Sequence, residues 1–186
     1  NAQSFDNSHD KLSPRAGFSY TFLPELNVFG NYSQGIRTVN LSRSAFQLRE
    51  NIQPEKEESF ELGLRGNLFK MVDYSVAGFY NITQDKIIQV TRYLYDNAGE
   101  ARSKGVELAV NVNFPYGLYT GFDYTYLDAE FTDFRTSYPQ SLTYDNNEVP
   151  LVPHHIFGTT LGWRSPLFGH LNGSVRYVGS KYIDRD

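Results

Sequence analysis

Arg37, Arg43 and Arg49 fall in one polar stretch of the chain, with Phe46 among them. Cations beside an aromatic ring attract an anionic chelate by Coulomb force and stack on its flat parts. Tyr138 and Tyr144, in a second polar stretch, offer the same stacking. A second group is set in strictly alternating sequence. Glu61 and Arg65 share one side of an extended segment, Glu107 and Asn111 share one side of another, and Asp123 belongs to the polar side of a third. The adjacent pair His154-His155 invites a metal reading, but neighbours on a strand point to opposite faces, so a lone wall or interface histidine is the better account. The run Asp145-Asn146-Asn147-Glu148 lacks the spacing of a calcium loop and reads as solvated. No metal site is therefore expected. No catalytic residues are expected either. There is no Gly-x-Ser-x-Gly elbow, no glycine-rich phosphate loop and no cysteine, and the carboxylates lie on separate segments.

The elements that position these groups follow from composition and period. The chain has 186 residues, 17 Lys plus Arg against 21 Asp plus Glu, and a formal net charge of -4. That balance argues against a nucleic-acid binder. With 40% hydrophobic and 20% charged residues the chain is no disordered tail. No run of roughly 18 apolar residues is available for a transmembrane helix. Aromatics reach 16%, with 14 Tyr and 14 Phe beside 15 Gly, a composition that favours strands. Asn1 to Leu12 has no apolar signal region and the only methionine is Met71, so the chain is expected to begin inside a longer protein or after processing.

Alternation with period 2 recurs along the chain. Ala16, Phe18, Tyr20 and Phe22 alternate with small or polar neighbours, as do Val106, Leu108, Val110 and Val112, and Phe157, Thr159, Leu161 and Trp163. Phe29 and Phe79 sit off phase. The pattern predicts eight strands, at 14–22, 26–36, 56–69, 73–87, 92–113, 118–133, 150–165 and 170–183. Several exceed the usual strand and reach the roughly 9–11 residues that cross a bilayer at a tilt. Short turns at 23–25, 70–72, 115–117 and 166–169 alternate with long polar connections at 37–55 and 134–149 and a shorter one near 88–91. Short turns on one side and long loops on the other are the layout of an antiparallel transmembrane β-barrel, which a soluble sandwich has no reason to copy. An even count of strands that starts and ends on the long-loop side reads as part of a larger barrel. Tyr20, Tyr74, Tyr116, Tyr119, Trp163, Tyr177 and Tyr182 are expected to form interfacial girdles.

Residues spread over most of the chain resemble the barrel of TonB-dependent outer-membrane receptors of the siderophore type. Ser13-Pro14-Arg15-Ala16-Gly17-Phe18-Ser19-Tyr20 is similar to that family's "SPRxGxxY" strand, and Asn31-Tyr32-Ser33-Gln34-Gly35-Ile36-Arg37 to its "xYSxGFR". Pro54-Glu55 with Glu61-Leu62-Gly63 resembles "PExxxxxELGxK". Asn97-Ala98-Gly99 through Gly105-Val106-Glu107 resembles "NxGxxxxxGxE", and Val152-Pro153-His154-His155 and Arg176-Tyr177-Val178-Gly179-Ser180 also fit.

The resemblance implies that residues 1–186 are a partial barrel domain, about eight strands of a 22-stranded barrel, without the plug or the final strands. It implies a Gram-negative outer-membrane receptor that imports a ferric siderophore or a similar scarce ligand with TonB-supplied energy. The expected partners are outer-membrane lipid and lipopolysaccharide, a plug domain, the TonB complex and an iron chelate, with no resident cofactor and no nucleic acid. Arg37, Arg43, Phe46, Arg49, Tyr138 and Tyr144 would then be ligand-contacting loop residues. Ordinary loop charge, meeting lipopolysaccharide phosphates, is the plainer reading of the arginines. Glu61, Arg65, Glu107, Asn111 and Asp123 would line the lumen, either tied to one another within the wall, as Glu107 to Arg65, or in the ligand's path. A diffusion porin, another outer-membrane barrel or a soluble β-rich binding domain remain the alternatives.

Overall fold

The computed structural model describes residues 12–23, 25–37, 47–48, 53–91, 94–97, 99–133, 135–136, 142–143 and 145–181. Its strands are β1 (Arg15–Leu23), β2 (Leu26–Arg37), β3 (Gln47–Leu48), β4 (Glu55–Leu68), β5 (Val72–Gln84), β6 (Ile87–Thr91) and β7 (Leu94–Asn97). They continue with β8 (Glu100–Asn113), β9 (Leu118–Asp133), β10 (Arg135–Thr136), β11 (Leu142–Thr143), β12 (His155–Ser165) and β13 (Gly169–Val178). The long strands form one eight-stranded sheet in the order β1-β2-β4-β5-β8-β9-β12-β13. Every pairing between them is antiparallel, so the chain runs up and down as a meander. The sheet is open, with β1 and β13 at its edges. Two small sheets, β3-β7-β6 and β10-β11, stand in the long connections.

The strand expected at 170–183 ends at Val178, and three others are shorter than their pattern, each for a backbone reason. The strand expected at 92–113 begins in the wall only at Glu100. Gly99 turns the chain at φ 94, and residues 94–97 pair with β6 and β3 instead. The strand expected at 73–87 ends at Gln84, because Asp85 takes φ 54. The strand expected from 150 starts at His155: Pro150 and Pro153 have no N–H to donate, and Leu151 sits at φ 66.

Register fixes which side chains share a face. Phe18 is opposite Gly30, Gly30 opposite Leu62, Leu62 opposite Gly78 and Gly78 opposite Val106, which is opposite Tyr126. That face carries Phe22, Phe60, Leu64, Phe122, Phe157, Leu161, Trp163, Leu171 and Val175, and all of them are exposed. Leu161 keeps 63% of its surface and Leu171 keeps 72%. The other face carries Ser19, Asn27, Asn31, Glu61, Arg65, Glu107, Asn111 and Asp123 by the same register. Burial is inverted relative to a water-soluble sheet. The buried apolar residues Ala77, Ala101, Ala129 and Phe131 all lie on the polar face, and Phe131 is only 3% exposed. An apolar face of this extent exceeds what water-facing surfaces carry and requires an apolar medium.

The off-phase aromatics are explained by this geometry. Phe29 lies flat over Gly63 on the neighbouring strand, Phe79 over Gly105 and Tyr119 over Gly162, all on the polar face. Each glycine supplies the space that the ring fills. Tyr119 is therefore a polar-face residue beneath Arg164, whose guanidinium sits 4.2 Å from its ring centroid, and not part of an interfacial girdle. Tyr20, Tyr74, Trp163 and Tyr177 keep to the apolar face. Trp163 donates its indole N–H to the Tyr116 carbonyl at 2.9 Å, and the Tyr74 hydroxyl donates to the Glu25 carbonyl at 3.0 Å, so both rings are anchored at the short-turn end. Tyr182 lies outside the described residues.

Candidate functional site

At the end where the long connections leave, the polar face terminates in a rim. Its centre is Glu55, the first residue of β4, which is 8% exposed despite its charge. A buried carboxylate needs donors, and Glu55 has two: the Ile87 backbone N–H at 2.7 Å and Arg37 Nη1 at 3.4 Å. A second tie lies beside it. Asn97 accepts from the Gln53 N–H at 2.7 Å, and its amide donates to the Gln53 carbonyl at 2.9 Å and the Asp85 carbonyl at 2.6 Å. The Lys86 N–H donates to the Gly99 carbonyl at 3.0 Å. These bonds join the entry of β4 to the start and end of the β6-β7 hairpin. The motif residues Glu55, Asn97 and Gly99 thus have a local physical role: they set where two outer connections leave the wall.

A cleft of ≈ 390 Å³ opens next to this knot, lined by Gly35, Arg37, Glu55, Glu57, Thr83 and Lys86. Arg37 is the expected ligand-contacting residue that the structure places here. Its side chain is 82% exposed, so most of the guanidinium remains open while one N–H reaches Glu55. Glu57 and Lys86 were not anticipated; the only sequence signal for them was their nearness to the motif residues. With two cations and two carboxylates in its lining, the cleft can bind a polar group by charge and hydrogen bonding. Arg43, Phe46, Arg49, Tyr138 and Tyr144 lie outside the residues whose side chains are described.

Asn97→Ala removes three hydrogen bonds at once. The expected result is a local loss of about 1–2 kcal/mol, read as faster amide exchange at residues 85–99, with the exchange of β8 and β9 unchanged. Equal loosening of the wall would show that the knot holds the whole sheet and not the outer connections.

Further around the rim the segment 145–154 folds back on β9. Phe131 N–H donates to the Asn147 carbonyl, Asn146 N–H to Phe131 and Val149 N–H to Ala129, closing over buried Ala129 and Phe131. His154 pins this segment: Nδ1 lies 3.0 Å from the Leu127 carbonyl and Nε2 3.1 Å from the Glu148 carboxylate. Both ring nitrogens face acceptors, which only the imidazolium satisfies together. The Leu127 carbonyl first, and the Glu148 carboxylate after it, raise the His154 pKa above 6.5. A raised histidine stabilises the segment fully below the unfolded value near 6.5 and loses that contribution as pH rises through the folded value. Proteolysis within 145–154 is therefore expected to accelerate between pH 6 and pH 9, and His154→Gln should flatten that dependence. A pH response surviving in the variant would assign it to another group. His155 makes its hydrogen bond elsewhere, with the Tyr124 hydroxyl at 3.0 Å, although both imidazoles pack against the Tyr126 ring.

The wall residues sort differently from expectation. Glu61 accepts from Asn31 Nδ2 at 2.9 Å. Arg65 donates to Asn27 Oδ1 at 3.1 Å and packs 5.2 Å from the Phe29 ring centroid. The expected Glu107–Arg65 pair does not form, because β5 lies between their strands and Arg65 turns the other way, toward Asn27 on β2 and Ser19 on β1. Glu107 is opposite Thr125, and Asp123 is opposite Ala109, which makes these carboxylates diagonal neighbours on the polar face. Asn111 is opposite Gly121 on the same face.

Comparison with known proteins fits this architecture. A family profile described as TonB dependent receptor-like, beta-barrel, matches residues 1–186. Among solved structures, the ferric yersiniabactin uptake receptor FyuA of Yersinia pestis is 28% identical, with 94% of this chain and 26% of that one aligned at a TM-score of 0.71. The siderophore receptor PiuA of Acinetobacter baumannii is 20% identical, over 88% of this chain and 25% of its own, at a TM-score of 0.70. The copper transporter OprC is 16% identical, over 94% and 27%, at a TM-score of 0.71. This chain therefore spans about a quarter of the length of the structures it matches. These proteins are receptors and transporters, not enzymes.

Proposed function

Because the chain belongs to the TonB-dependent receptor-like β-barrel family, we propose that it forms wall and outer loops of a Gram-negative outer-membrane receptor that imports a ferric siderophore or a similar scarce ligand with energy supplied through TonB. Residues 1–186 are then a partial barrel domain, contributing eight strands to a barrel of 22. The observation that carries the reading is the inverted sheet, with its apolar face open and its polar face ending in a charged rim cleft. FyuA, at 28% identity, supports an iron chelate as the ligand class.

In this reading the open guanidinium of Arg37 and the nearby Lys86 draw an anionic chelate to the rim, while Glu55 holds Arg37 in place. Arg43, Phe46, Arg49, Tyr138 and Tyr144 extend that surface from the loops. Glu61, Arg65, Glu107, Asn111 and Asp123 face the water-filled lumen, where ligand and plug pass. The plug and the TonB contact come from other parts of the receptor, and lipid with lipopolysaccharide surrounds the wall. No covalent step is involved: capture and release depend on binding and movement.

Growth of a strain lacking the receptor, under iron limitation, with a panel of ferric chelates tests this directly. The receptor gene should restore growth on at least one chelate, and only while TonB is present. Rescue independent of TonB would favour a diffusion porin. Failure on every iron chelate, with restored uptake of copper, would move the cargo to another metal.

A further inference from the structure

β9 outruns the strand that covers its far side. β12 pairs with it only as far as Tyr126, opposite His155, while β9 continues to Asp133. Beyond Tyr126 its backbone is covered by residues 145–154 instead. The His154 carbonyl accepts from the Leu127 N–H at 2.9 Å, the Val149 N–H donates to the Ala129 carbonyl at 2.9 Å, and Glu148 forms an antiparallel bridge with Glu130. Pro150 and Pro153 have no N–H to donate and Leu151 sits at φ 66, so this strap does not merge with β12 into one continuous strand. A short segment held by a few bonds at the end of a sheet opens as a local unit, without the wall.

The bridge sets two carboxylates directly opposite each other, which opposes pairing unless both are compensated. Three carboxylates meet here, Asp128 and Glu130 on β9 and Glu148 on the strap. Each has its own cation. Lys104 on β8 lies 3.2 Å from Asp128, Arg102 on β8 pairs with Glu130, and His154 lies 3.1 Å from Glu148. The Tyr126 ring stacks on the His154 imidazole at 6.3 Å and adds no charge. Lysine and arginine stay charged through the neutral range, whereas an imidazole does not. Of the three cations, only His154 therefore loses its charge there. Three carboxylates then face two cations, and the uncompensated one is Glu148, which the bridge holds against Glu130. The neutral ring also has one proton for two acceptors, so either the Leu127 carbonyl or the Glu148 carboxylate is left facing a lone pair.

We propose that residues 145–154 are a proton-operated strap at the mouth of the polar face, closed on β9 while His154 carries its proton and open once that proton is lost. Rising external pH then uncovers the buried pair Ala129 and Phe131 and frees the last turns of the β9 edge at the place where an outer connection rejoins the wall. The two states differ in their charge balance, so Glu148 drives the opening as much as His154 permits it. The inference rests on the outer-membrane reading above only in placing the strap in the external medium, and it is tested without any uptake assay.

The full-length receptor in its membrane carries one nitroxide at residue 151, where the Leu151 side chain is 63% exposed, and its mobility is read by electron paramagnetic resonance. The mobile fraction should rise roughly fivefold from about pH 6 to about pH 9, the scale of losing one partly exposed charge-assisted hydrogen bond. Glu148→Gln decides the mechanism. Its amide N–H donates to Nε2 of the neutral imidazole while Nδ1–H still serves the Leu127 carbonyl, so this variant should stay closed at both pH values. His154→Ala should be open at both. A nitroxide at residue 108 on β8 serves as the check that each variant keeps its wall. A wild-type strap whose mobility ignores pH, a Glu148→Gln variant that opens as the wild type does, or a His154→Ala strap that stays closed overturns the proposal. Each of those results leaves the transport reading standing, and failure of TonB-dependent growth on every chelate would remove that reading without touching the strap.

Discussion

Arginine at Leu62 is expected to destabilise the folded receptor in a phospholipid bilayer by about 2–4 kcal/mol, whereas arginine at Asn111 should change it by less than about 1 kcal/mol. Leu62 stands midway along β4 on the apolar face, between Gly30 and Gly78 on the flanking strands. A guanidinium there must either leave water or bend the bilayer to reach it, and the flanking glycines offer no polar partner. Asn111 is on β8 with its side chain on the polar face, opposite Gly121. A longer cation at that position projects into aqueous space beside carboxylates, with Asp73 directly opposite on β5 and Glu107 four residues away on the same face. Reversible denaturation of the two variants in vesicles, compared with the wild type, gives the difference. Equal effects at the two positions would mean that the faces do not meet different media.

Gly105→Ala should cost roughly 1–3 kcal/mol, and Gly105→Val should prevent assembly. A Cβ at Gly105 would overlap the Tyr126 carbonyl oxygen and the Phe79 ring at the same time. The ring could swing aside, but the carbonyl belongs to the ladder between β8 and β9 and cannot move without breaking register. Gly78 is the matched control. It lies on the neighbouring β5 with its Cβ direction toward the other face and open space around it. Gly78→Ala should therefore be nearly neutral, within about 0.5 kcal/mol, the ordinary range for a surface substitution. Comparable losses at the two glycines would show that general strand propensity, and not the packing of Phe79, decides the outcome.

Much of the wall was legible because a half-apolar strand repeats with period 2 and needs only its own residues to declare it. The strand at 118–133 was read with its observed ends. What the pattern misjudged depended on partners distant in sequence. Phe29 and Phe79 broke the alternation because their space is supplied by Gly63 and Gly105, which only register brings beneath them. The run from 92 to 113 looked continuous because a lone Gly99 is as consistent with a weak point in a strand as with a turn. Only its φ of 94 decides between them. The Glu107–Arg65 pair matched charges without knowing that β5 stands between them.

The candidate site was less legible still. Arg37 was read as a cation of the 37–55 loop and is instead the last residue of β2, while the burial of Glu55 and its bond to the Ile87 amide depend on a residue 32 positions away. Asn97 likewise reaches Gln53 across 44 positions. The motif resemblance flagged Glu55, Asn97 and Gly99 without giving them a role. The geometry makes them the base on which the outer connections stand.

The central claim is that one sheet separates lipid from a water-filled lumen. Single cysteines at residues 106 to 111 of the intact receptor in its membrane test it most directly, since this segment contains no cysteine of its own. Positions 106, 108 and 110 should resist a water-soluble thiol reagent and react with a lipid-soluble one, with 107, 109 and 111 reversed in both respects. Uniform labelling along β8 by the water-soluble reagent would contradict the account.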